Sequence, residues 1–359
     1  MISLGVGEPD FTPPRNVLEA AKRALDSGFT HYTPRAGIPE LREALAEKAE
    51  RDYGLSYDPE NEILVTIGGT HAIYMTLQAL INPKDEVIIP DPGFLSYEPA
   101  VLMTGGTPIF VPMSEKNGFA LNPEDVTSHI TEKSRMLIIN SPNNPTGAVL
   151  SHDNLTKLAK VAVERDLLVI SDEVYEKITY GDARHHCLAS FPGMRERTLV
   201  VGSFSKTYAM TGFRVGYVYG PKELIAPIML VLQYCVACVD GPAQYAAAEA
   251  LKGPQGVVKK MIAEFDRRRR FMHKRLNEID GFRCSLPQGA FYIFANIEGF
   301  HLPSENFAEL LVHQAHVITV HGSAFGKHGE GYLRFSYATA YDRIDEALNR
   351  IEKAAKTVR

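Results

Sequence analysis

Short apolar runs separated by amphipathic stretches dominate the first two thirds of the chain. The runs are rich in β-branched residues, and they end at Ile67, Pro90, Val111, Asn140, Ser171 and Gly202. Stretches with helical spacing lie between most of them, including residues 39–53, 68–80 and 155–165. Strands that are apolar on both faces and alternate with helices predict an α/β fold with a mostly parallel, doubly covered sheet.

The last third of the chain has a different pattern. After Gly253–Gly256, a long amphipathic helix is predicted to about Glu278, and short strands follow at 289–294, 316–320 and 332–336. A final helix is predicted from Asp342. Because 359 residues are too many for one compact core, we expect about two domains, with an α+β domain in the tail.

The charge balance argues against binding to polyanions. The formal net charge is −5, so nothing in the overall balance favours nucleic acid or an anionic membrane surface. The run Arg267–Arg270 is locally basic, but Phe265, Met272 and Leu276 recur around it near helical spacing. We therefore predict a solvated helix face there, and not a targeting signal.

The four cysteines are too few and too scattered for a disulfide framework. Cys235 and Cys238 form a C-x-x-C pair inside the apolar run 230–239, without a second ligand pair at zinc-site spacing. Of the two interpretations, a metal site or buried thiols that pack as small hydrophobes, we favour the second and predict no metal. The run is too short to span a bilayer, and the N-terminus lacks a signal-peptide pattern, which favours a reducing cytoplasm.

Polar residues cluster where the predicted strands end, and ligands of such sheets bind beyond the carboxyl ends of the strands. Gly68–Thr70 opens a helix and could receive an anion, although such turns are also common connections. Asp172 ends a buried strand, where a carboxylate is costly unless it is paired. Lys206 alone would be interpreted as a surface lysine, and Phe94 alone as a core residue. Their position beside the polar loop 140–147 favours a common site.

The chain resembles the fold-type-I, pyridoxal-phosphate-dependent aminotransferases of class I over essentially its whole length. The resemblance implies a large cofactor domain over 15–262 with a mostly parallel seven-stranded sheet, and a smaller α+β domain from 1–14 and 263–359. Six motifs in the family's order carry it: Gly7–Phe11, Tyr32–Gly37, Asn143–Gly147, Ser171–Tyr175, Ser203–Lys206 with Gly212–Arg214, and Arg334–Ala338.

The resemblance assigns the chemistry to the strand ends. Lys206 matches the lysine that holds pyridoxal 5′-phosphate as a Schiff base and then shuttles a proton. Asp172 matches the carboxylate that keeps the ring nitrogen protonated, so that the ring can withdraw electrons. Tyr175 and Asn144 match the pair that hydrogen-bonds the phenolic oxygen of the cofactor, and Phe94 matches the aromatic residue stacked on its ring.

The resemblance also implies a phosphate site. The 5′-phosphate would lie on Gly69 and Thr70, with Ser203, Ser205 and Arg214 around it. The planar guanidinium of an arginine can hold a phosphate through two hydrogen bonds, which suits this role.

The substrate and the partner subunit are implied in the same way. Arg334 matches the arginine that binds the substrate α-carboxylate, with Gly7 and Asn144 close by, although a structural ion pair is the alternative for such a residue. Tyr32 matches a tyrosine that reaches the phosphate from the neighbouring subunit, so we expect a homodimer.

The implied reaction is a ping-pong transfer of an amino group from an L-amino acid, aromatic or aspartate-like, to 2-oxoglutarate. Two alternatives remain: a C–S β-lyase on the same fold, and a cofactor-sensing regulator, which would carry a DNA-binding winged helix ahead of this fold. The preferred donor stays open among aspartate, tyrosine, phenylalanine, kynurenine and 2-aminoadipate.

Two departures from the family pattern affect these expectations. Thr70 stands where many bacterial-type aspartate aminotransferases carry a lysine, so the resemblance is closer to archaeal aromatic or broad-specificity enzymes, and Arg35 is a candidate for receiving a distal carboxylate. Relatives usually have a further helix before the segment that matches Ile2–Gly5. Without such an arm we expect weaker cover over the active site and the dimer contact.

Overall fold

The computed structural model describes residues 1–358, in which the strands and α-helices alternate as the pattern predicts. The strands are β1 (Ile2–Ser3), β2 (Ile63–Thr66), β3 (Glu86–Asp91), β4 (Thr107–Pro112), β5 (Ser134–Asn140), β6 (Leu168–Asp172), β7 (Thr198–Ser203), β8 (Gly216–Tyr219), β9 (Tyr292–Asn296), β10 (Val317–Ile318), β11 (Val320–His321) and β12 (Tyr332–Ser336). The α-helices are α1 (Arg15–Asp26), α2 (Pro39–Tyr53), α3 (Gly68–Leu80), α4 (Tyr97–Met103), α5 (Pro123–Ser128), α6 (His152–Glu164), α7 (Phe204–Thr207), α8 (Lys222–Val236), α9 (Gly241–Lys252), α10 (Gly256–Glu278), α11 (Ser304–Leu310) and α12 (Tyr341–Ala355).

The main sheet has seven strands in the order β2-β8-β7-β6-β5-β3-β4. Strands β3 to β7 pair in parallel, and β8 pairs antiparallel with both of its neighbours. The predicted mostly parallel, seven-stranded α/β sheet is therefore confirmed. Strand β8 itself was not predicted, because its four residues begin only two positions after the motif Gly212–Arg214 and no long amphipathic helix separates them from β7.

Side chains alternate across the main sheet and build a core on each face. On β2, Leu64 packs in the same cluster as Ala72 of α3 and Leu232 of α8. Its neighbour Val65 points to the other face and packs in the cluster of Leu41 from α2. Because both faces are covered by helices, the strands are apolar throughout and not alternating.

A further core lies around α10 and α12. It packs against the antiparallel sheet β11-β12-β9, and β1 pairs in parallel with β10. Ile2 and Leu4 belong to this cluster, as do Tyr175 and Ile178 from the segment after β6. The division at residues 15–262 stays a prediction, and the shared cluster shows that the two sheets meet along the segment that follows Asp172.

Two predicted strands of the tail differ from the structure. The strand expected at 289–294 begins only at Tyr292, because Ala290 has a positive φ of 56° and the chain turns there. The strand expected at 316–320 is two short strands with different partners, β10 on β1 and β11 on β12. In both places a local apolar run could not reveal the turn or the change of partner.

The basic run on α10 is not the uniformly solvated face that its pattern suggested. Arg268 and Arg269 are buried. Arg268 donates to Asp10 Oδ1 at 2.8 Å, and Arg269 donates to Asp266. The prediction was wrong for these two residues because their acidic partners offset the cost of burying a guanidinium.

The C-x-x-C pair is also placed differently from the prediction. Cys235 is exposed and Cys238 is partly exposed, because α8 ends at Val236 and the chain turns at Ala237 with a φ of 62°. Within residues 1–358 there is no group of three histidine, cysteine or acidic side chains that could hold a metal ion. In the same range, none of the helices is long and apolar enough to cross a membrane.

Candidate active site

A cleft of about 260 Å³ opens at the carboxyl ends of β5, β6 and β7, where the segment after β1 and the strand β12 close over them. All the predicted site residues except Tyr32 line it: Gly7, Gly69, Thr70, Phe94, Asn144, Asp172, Tyr175, Ser203, Ser205, Lys206, Arg214 and Arg334.

One end of the cleft is built to receive an anion. It lies at the N-terminus of α3, where free backbone N–H groups and the helix dipole favour negative charge. Gly68 has a φ of 77°, and a Cβ there would lie 2.5 Å from Arg214 Nη2, so only glycine lets the guanidinium rest on this turn. Arg214 Nη1 donates to the Thr211 carbonyl at 3.0 Å. The Ser203 hydroxyl accepts from the N–H of Ser205 at 3.1 Å and so caps α7.

Lys206 lies on α7 in the middle of the cleft. Its Nζ donates to the carbonyl of Gly7 at 2.6 Å, a contact between residues 199 positions apart. Burial lowers the pKa of Lys206 to about 8, and the positive charges of Arg214 and Arg334 lower it in the same direction. A neutral amine is therefore accessible near neutral pH, as nucleophilic attack by a lysine requires.

Asp172 ends β6 on the floor of the cleft and is buried. Tyr97 donates to its Oδ2 at 2.6 Å, and the N–H of Val174 lies 3.4 Å from its Oδ1. Burial raises the pKa of Asp172 to about 6, against the opposing effect of the Tyr97 hydrogen bond. Among residues 1–358 no cation forms an ion pair with this carboxylate, so it has capacity for a cationic ligand group.

Arg334 lies on β12 with only 6% of its surface exposed. It donates to Asn144 Oδ1 at 2.8 Å and to the Gly5 carbonyl at 2.7 Å. Its Nε is buried and without a hydrogen-bond partner, and no described carboxylate forms an ion pair with the Arg334 side chain. The alternative of a structural ion pair is therefore not supported, and a buried guanidinium in this state can bind a ligand carboxylate.

Several residues in the cleft or directly behind it were missed by sequence reasoning. Asn140 Oδ1 accepts from the N–H of Asn144 at 2.8 Å, and its Nδ2 donates to the Asp172 carbonyl, so it holds the polar loop to β6. The hydroxyl of Tyr292 forms a hydrogen bond of 2.8 Å with the hydroxyl of Tyr175. Tyr97 is the partner of Asp172 but lies in a helix that shows no polar motif. Only Asn140, at a predicted strand end, carried a signal that could have been used.

Tyr32 is the one predicted site residue outside the cleft. Its side chain is 89% exposed and lies beside α8 and Cys238 in a surface groove. Because Tyr32 is expected to act in the site of a second subunit, its role there stays a prediction.

The donor set fits one kind of bound group. The cleft combines a reactive amine, an anion site, an unpaired buried carboxylate and an aromatic wall at Phe94. These features match an aromatic aldehyde that carries a phosphate and a basic ring nitrogen. The unpaired Arg334 then remains for the carboxylate of a second ligand.

Comparison with known proteins identifies the family. Residues 1–351 match the family model "Aminotransferase class I and II", and the chain belongs to this family. It is 49% identical to the aspartate aminotransferase of Pyrococcus abyssi and 47% identical to aromatic-amino-acid aminotransferase 2 of Thermococcus litoralis. In both comparisons 99% of this chain and 92% of the relative are covered.

Solved structures agree with this assignment. The aromatic aminotransferase from Pyrococcus horikoshii superposes with a TM-score of 0.97 at 50% identity, with 99% of this chain and 96% of that chain covered. The aspartate aminotransferase from Thermus thermophilus with maleate gives a TM-score of 0.95 at 40% identity, with 99% and 91% covered. The predicted family, fold and enzyme class, an aminotransferase, are thereby confirmed.

Proposed function

We propose that the enzyme uses pyridoxal 5′-phosphate to move the amino group of an aromatic or aspartate-like L-amino acid to 2-oxoglutarate in a ping-pong reaction. The observation that carries the proposal is the pair of buried, uncompensated charges in one cleft. Asp172 lacks a cation and Arg334 lacks an anion within residues 1–358, and Lys206 lies in the same cleft. Since isolated buried charges are costly, their retention points to ligand groups of opposite sign.

The central residues of the cleft then have defined roles. Bound pyridoxal phosphate would supply an aldehyde for amine exchange and a ring that withdraws electrons. Lys206 would hold the cofactor and later move a proton at the substrate Cα. Asp172 would keep a proton on the ring nitrogen, with Tyr97 fixing the carboxylate. Phe94 would cover the ring face.

The remaining polar residues would position the cofactor and the substrate. Gly69, Thr70, Ser203, Ser205 and Arg214 would receive the phosphate. Arg334, held by Asn144 and the Gly5 carbonyl, would bind the substrate carboxylate and so place the Cα beside Lys206. Tyr175 would donate to the cofactor's phenolic oxygen.

The choice of donor rests on two supports. The relatives are named for aspartate and for aromatic amino acids. The cleft wall includes Ile73, Leu95 and Tyr292, and such an apolar surface suits an aromatic side chain. Arg35 donates to Gln233 of the same chain, so it would have to change partner to receive a distal carboxylate.

We also propose a homodimer in the cytoplasm. Large apolar side chains are exposed on α8 and beside it, with Tyr234 at 79%, Leu230 at 54% and Tyr32 at 89%. A surface of this kind favours burial against a partner, and a second copy would bring Tyr32 to a phosphate site. All four cysteines are free thiols, which suits a reducing compartment.

Lys206→Ala tests the proposed function. The wild-type protein is expected to bind pyridoxal phosphate with a visible absorption band, to retain it covalently after borohydride, and to form glutamate from 2-oxoglutarate and an L-amino acid. The variant is expected to lose covalent retention and turnover.

The matched control is Lys222→Ala, which removes an exposed lysine at the start of α8. Undiminished turnover by Lys206→Ala would end the proposal. Release of pyruvate and ammonia from cysteine conjugates, without a new amino acid, would instead identify a C–S lyase.

A further inference from the structure

Tyr292 contacts three separate parts of the cleft. It is the first residue of β9 and is 1% exposed. Its hydroxyl lies 2.8 Å from that of Tyr175, and the Arg334 guanidinium lies 4.3 Å from its ring centroid. A Cβ on Gly7 would lie 2.3 Å from its hydroxyl, so the glycine makes room for the tyrosine.

These contacts join the groups assigned to the cofactor and to the substrate. Tyr175 lies in the segment after β6 and Arg334 lies on β12 of the smaller sheet. Gly7 is the residue whose carbonyl accepts from Lys206. Tyr292 is the side chain that touches all of them. A change in the position of any one of these groups would therefore alter its contact with Tyr292.

The direction of the tyrosine–tyrosine hydrogen bond decides what Tyr175 can do. Among residues 1–358 the Tyr175 hydroxyl has a single hydrogen-bond partner, the Tyr292 hydroxyl. A phenol has one proton. If Tyr175 gave that proton to Tyr292, none would remain for a ligand, whereas donation by Tyr292 leaves the Tyr175 proton free for the cleft.

The surroundings favour Tyr292 as the donor. The guanidinium of Arg334 lies over its ring and withdraws electron density from the phenol, which strengthens its O–H as a donor. A hydroxyl that accepts one hydrogen bond also becomes a stronger donor in turn. Tyr175 is thereby prepared to donate into the cleft.

We propose that Tyr292 is a positioning residue, whose hydroxyl donates to Tyr175 and whose ring holds the Arg334 guanidinium in place. This inference rests on the proposed function, in which Tyr175 donates to the phenolic oxygen of the cofactor. The hydroxyl and the ring of Tyr292 then have separable effects, one on the cofactor and one on the substrate carboxylate.

Tyr292→Phe and Tyr292→Leu separate the two effects. Tyr180→Phe is the matched control, because Tyr180 is also buried, donates to the Ala290 carbonyl at 2.6 Å and has Arg269 4.5 Å from its ring centroid, yet it does not line the cleft. Two quantities are measured on the proteins loaded with pyridoxal phosphate. They are the pH midpoint of the visible absorption band and the Kd of 3-phenylpropionate, an aromatic carboxylate with no amino group.

Tyr292→Phe is expected to raise the midpoint by about 0.2–0.7 pH unit, because a weaker Tyr175 donor stabilises the phenolate less, with the Kd within about twofold of wild type. Tyr292→Leu is expected to raise the midpoint equally and to weaken binding of the carboxylate roughly 3- to 30-fold. Tyr180→Phe is expected to change neither.

An unchanged or lowered midpoint in Tyr292→Phe would overturn the inference, since a lowered one would mean that Tyr175 is the donor. An equal shift in Tyr180→Phe would also overturn it. If Tyr292→Leu does not fold, as judged by circular dichroism, the Phe variant alone decides the role of the hydroxyl. A wild-type protein with no titrating visible band would instead refute the proposed function.

Discussion

Replacing Asp172 by asparagine is expected to stabilise the cofactor-free protein. The carboxylate is buried without a cation, and its pKa is about 6 in the folded protein against 3.8 as the ordinary value. Because the folded state binds the proton more tightly, the fold loses stability as pH rises from 3.8 to about 6. A pKa that folding raises by about two corresponds to about 3 kcal/mol of unfolding free energy.

The pH dependence gives this prediction its sign. At pH 8 the unfolding free energy of Asp172→Asn is expected to exceed that of wild type by up to about 3 kcal/mol. At pH 5, where the folded carboxyl is mostly protonated, the expected difference is about half of that. Asparagine can still accept from Tyr97, so the local hydrogen bond is kept. Urea unfolding of both cofactor-free proteins at the two pH values measures the difference.

The matched control is Asp166→Asn, in which the replaced carboxylate is 94% exposed, and it should show no comparable dependence on pH. Equal unfolding free energies of wild type and Asp172→Asn at pH 8 would refute the reasoning, since they would mean that the buried charge is already compensated. Asp172→Asn should also lower kcat by roughly 10²- to 10³-fold, because an electrostatic partner of the reacting group is lost. Added pyridoxal phosphate should also stabilise wild type more than the variant.

Two further predictions concern Lys206 and Tyr32. Burial and two arginines lower the pKa of Lys206 to about 8. The rate of covalent incorporation of pyridoxal phosphate, measured by stopped-flow absorbance, should therefore rise about tenfold per pH unit below pH 8 and level off above pH 8. A rate that still rises beyond pH 9.5 would contradict this prediction. If Tyr32 acts across a dimer, a refolded equimolar mixture of inactive Lys206→Ala and Tyr32→Ala should recover about a quarter of wild-type turnover, since half of the dimers are mixed and each contains one intact site. No recovery would place Tyr32 in the site of its own subunit, whereas a Tyr32→Ala protein that is active by itself would place Tyr32 outside any site.

The fold could be predicted in outline because its signals are local. Runs such as those ending at Ile67 and Asn140 are short, apolar and separated by amphipathic stretches, and this is what strands covered on both faces require. The helix at Pro39–Tyr53 has its predicted bounds, with proline in its first turn and Gly54 after its end. Strand β8 and the break between β10 and β11 were not predicted, because pairing with another strand, and not local sequence, defines them.

The site could be located for a related reason. Parallel strands place their carboxyl ends on one edge of the sheet, so polar residues after β5, β6 and β7 had to come close together. The assignment of Lys206 and Asp172 to individual tasks came from the resemblance to a family. The charge state of each became visible only with its surroundings, since burial shifts the pKa of the amine and of the carboxyl in opposite directions.

What the amino-acid order determined by itself was the succession of strands and helices and the edge at which chemistry collects, because both depend on neighbours in the chain. Only the tertiary structure decided which distant groups meet: Lys206 with the carbonyl of Gly7, Tyr292 with Tyr175, and Arg268 with Asp10. Such contacts depend on how separate elements pack, and a periodic pattern records which face of an element is apolar but not the partner that covers it.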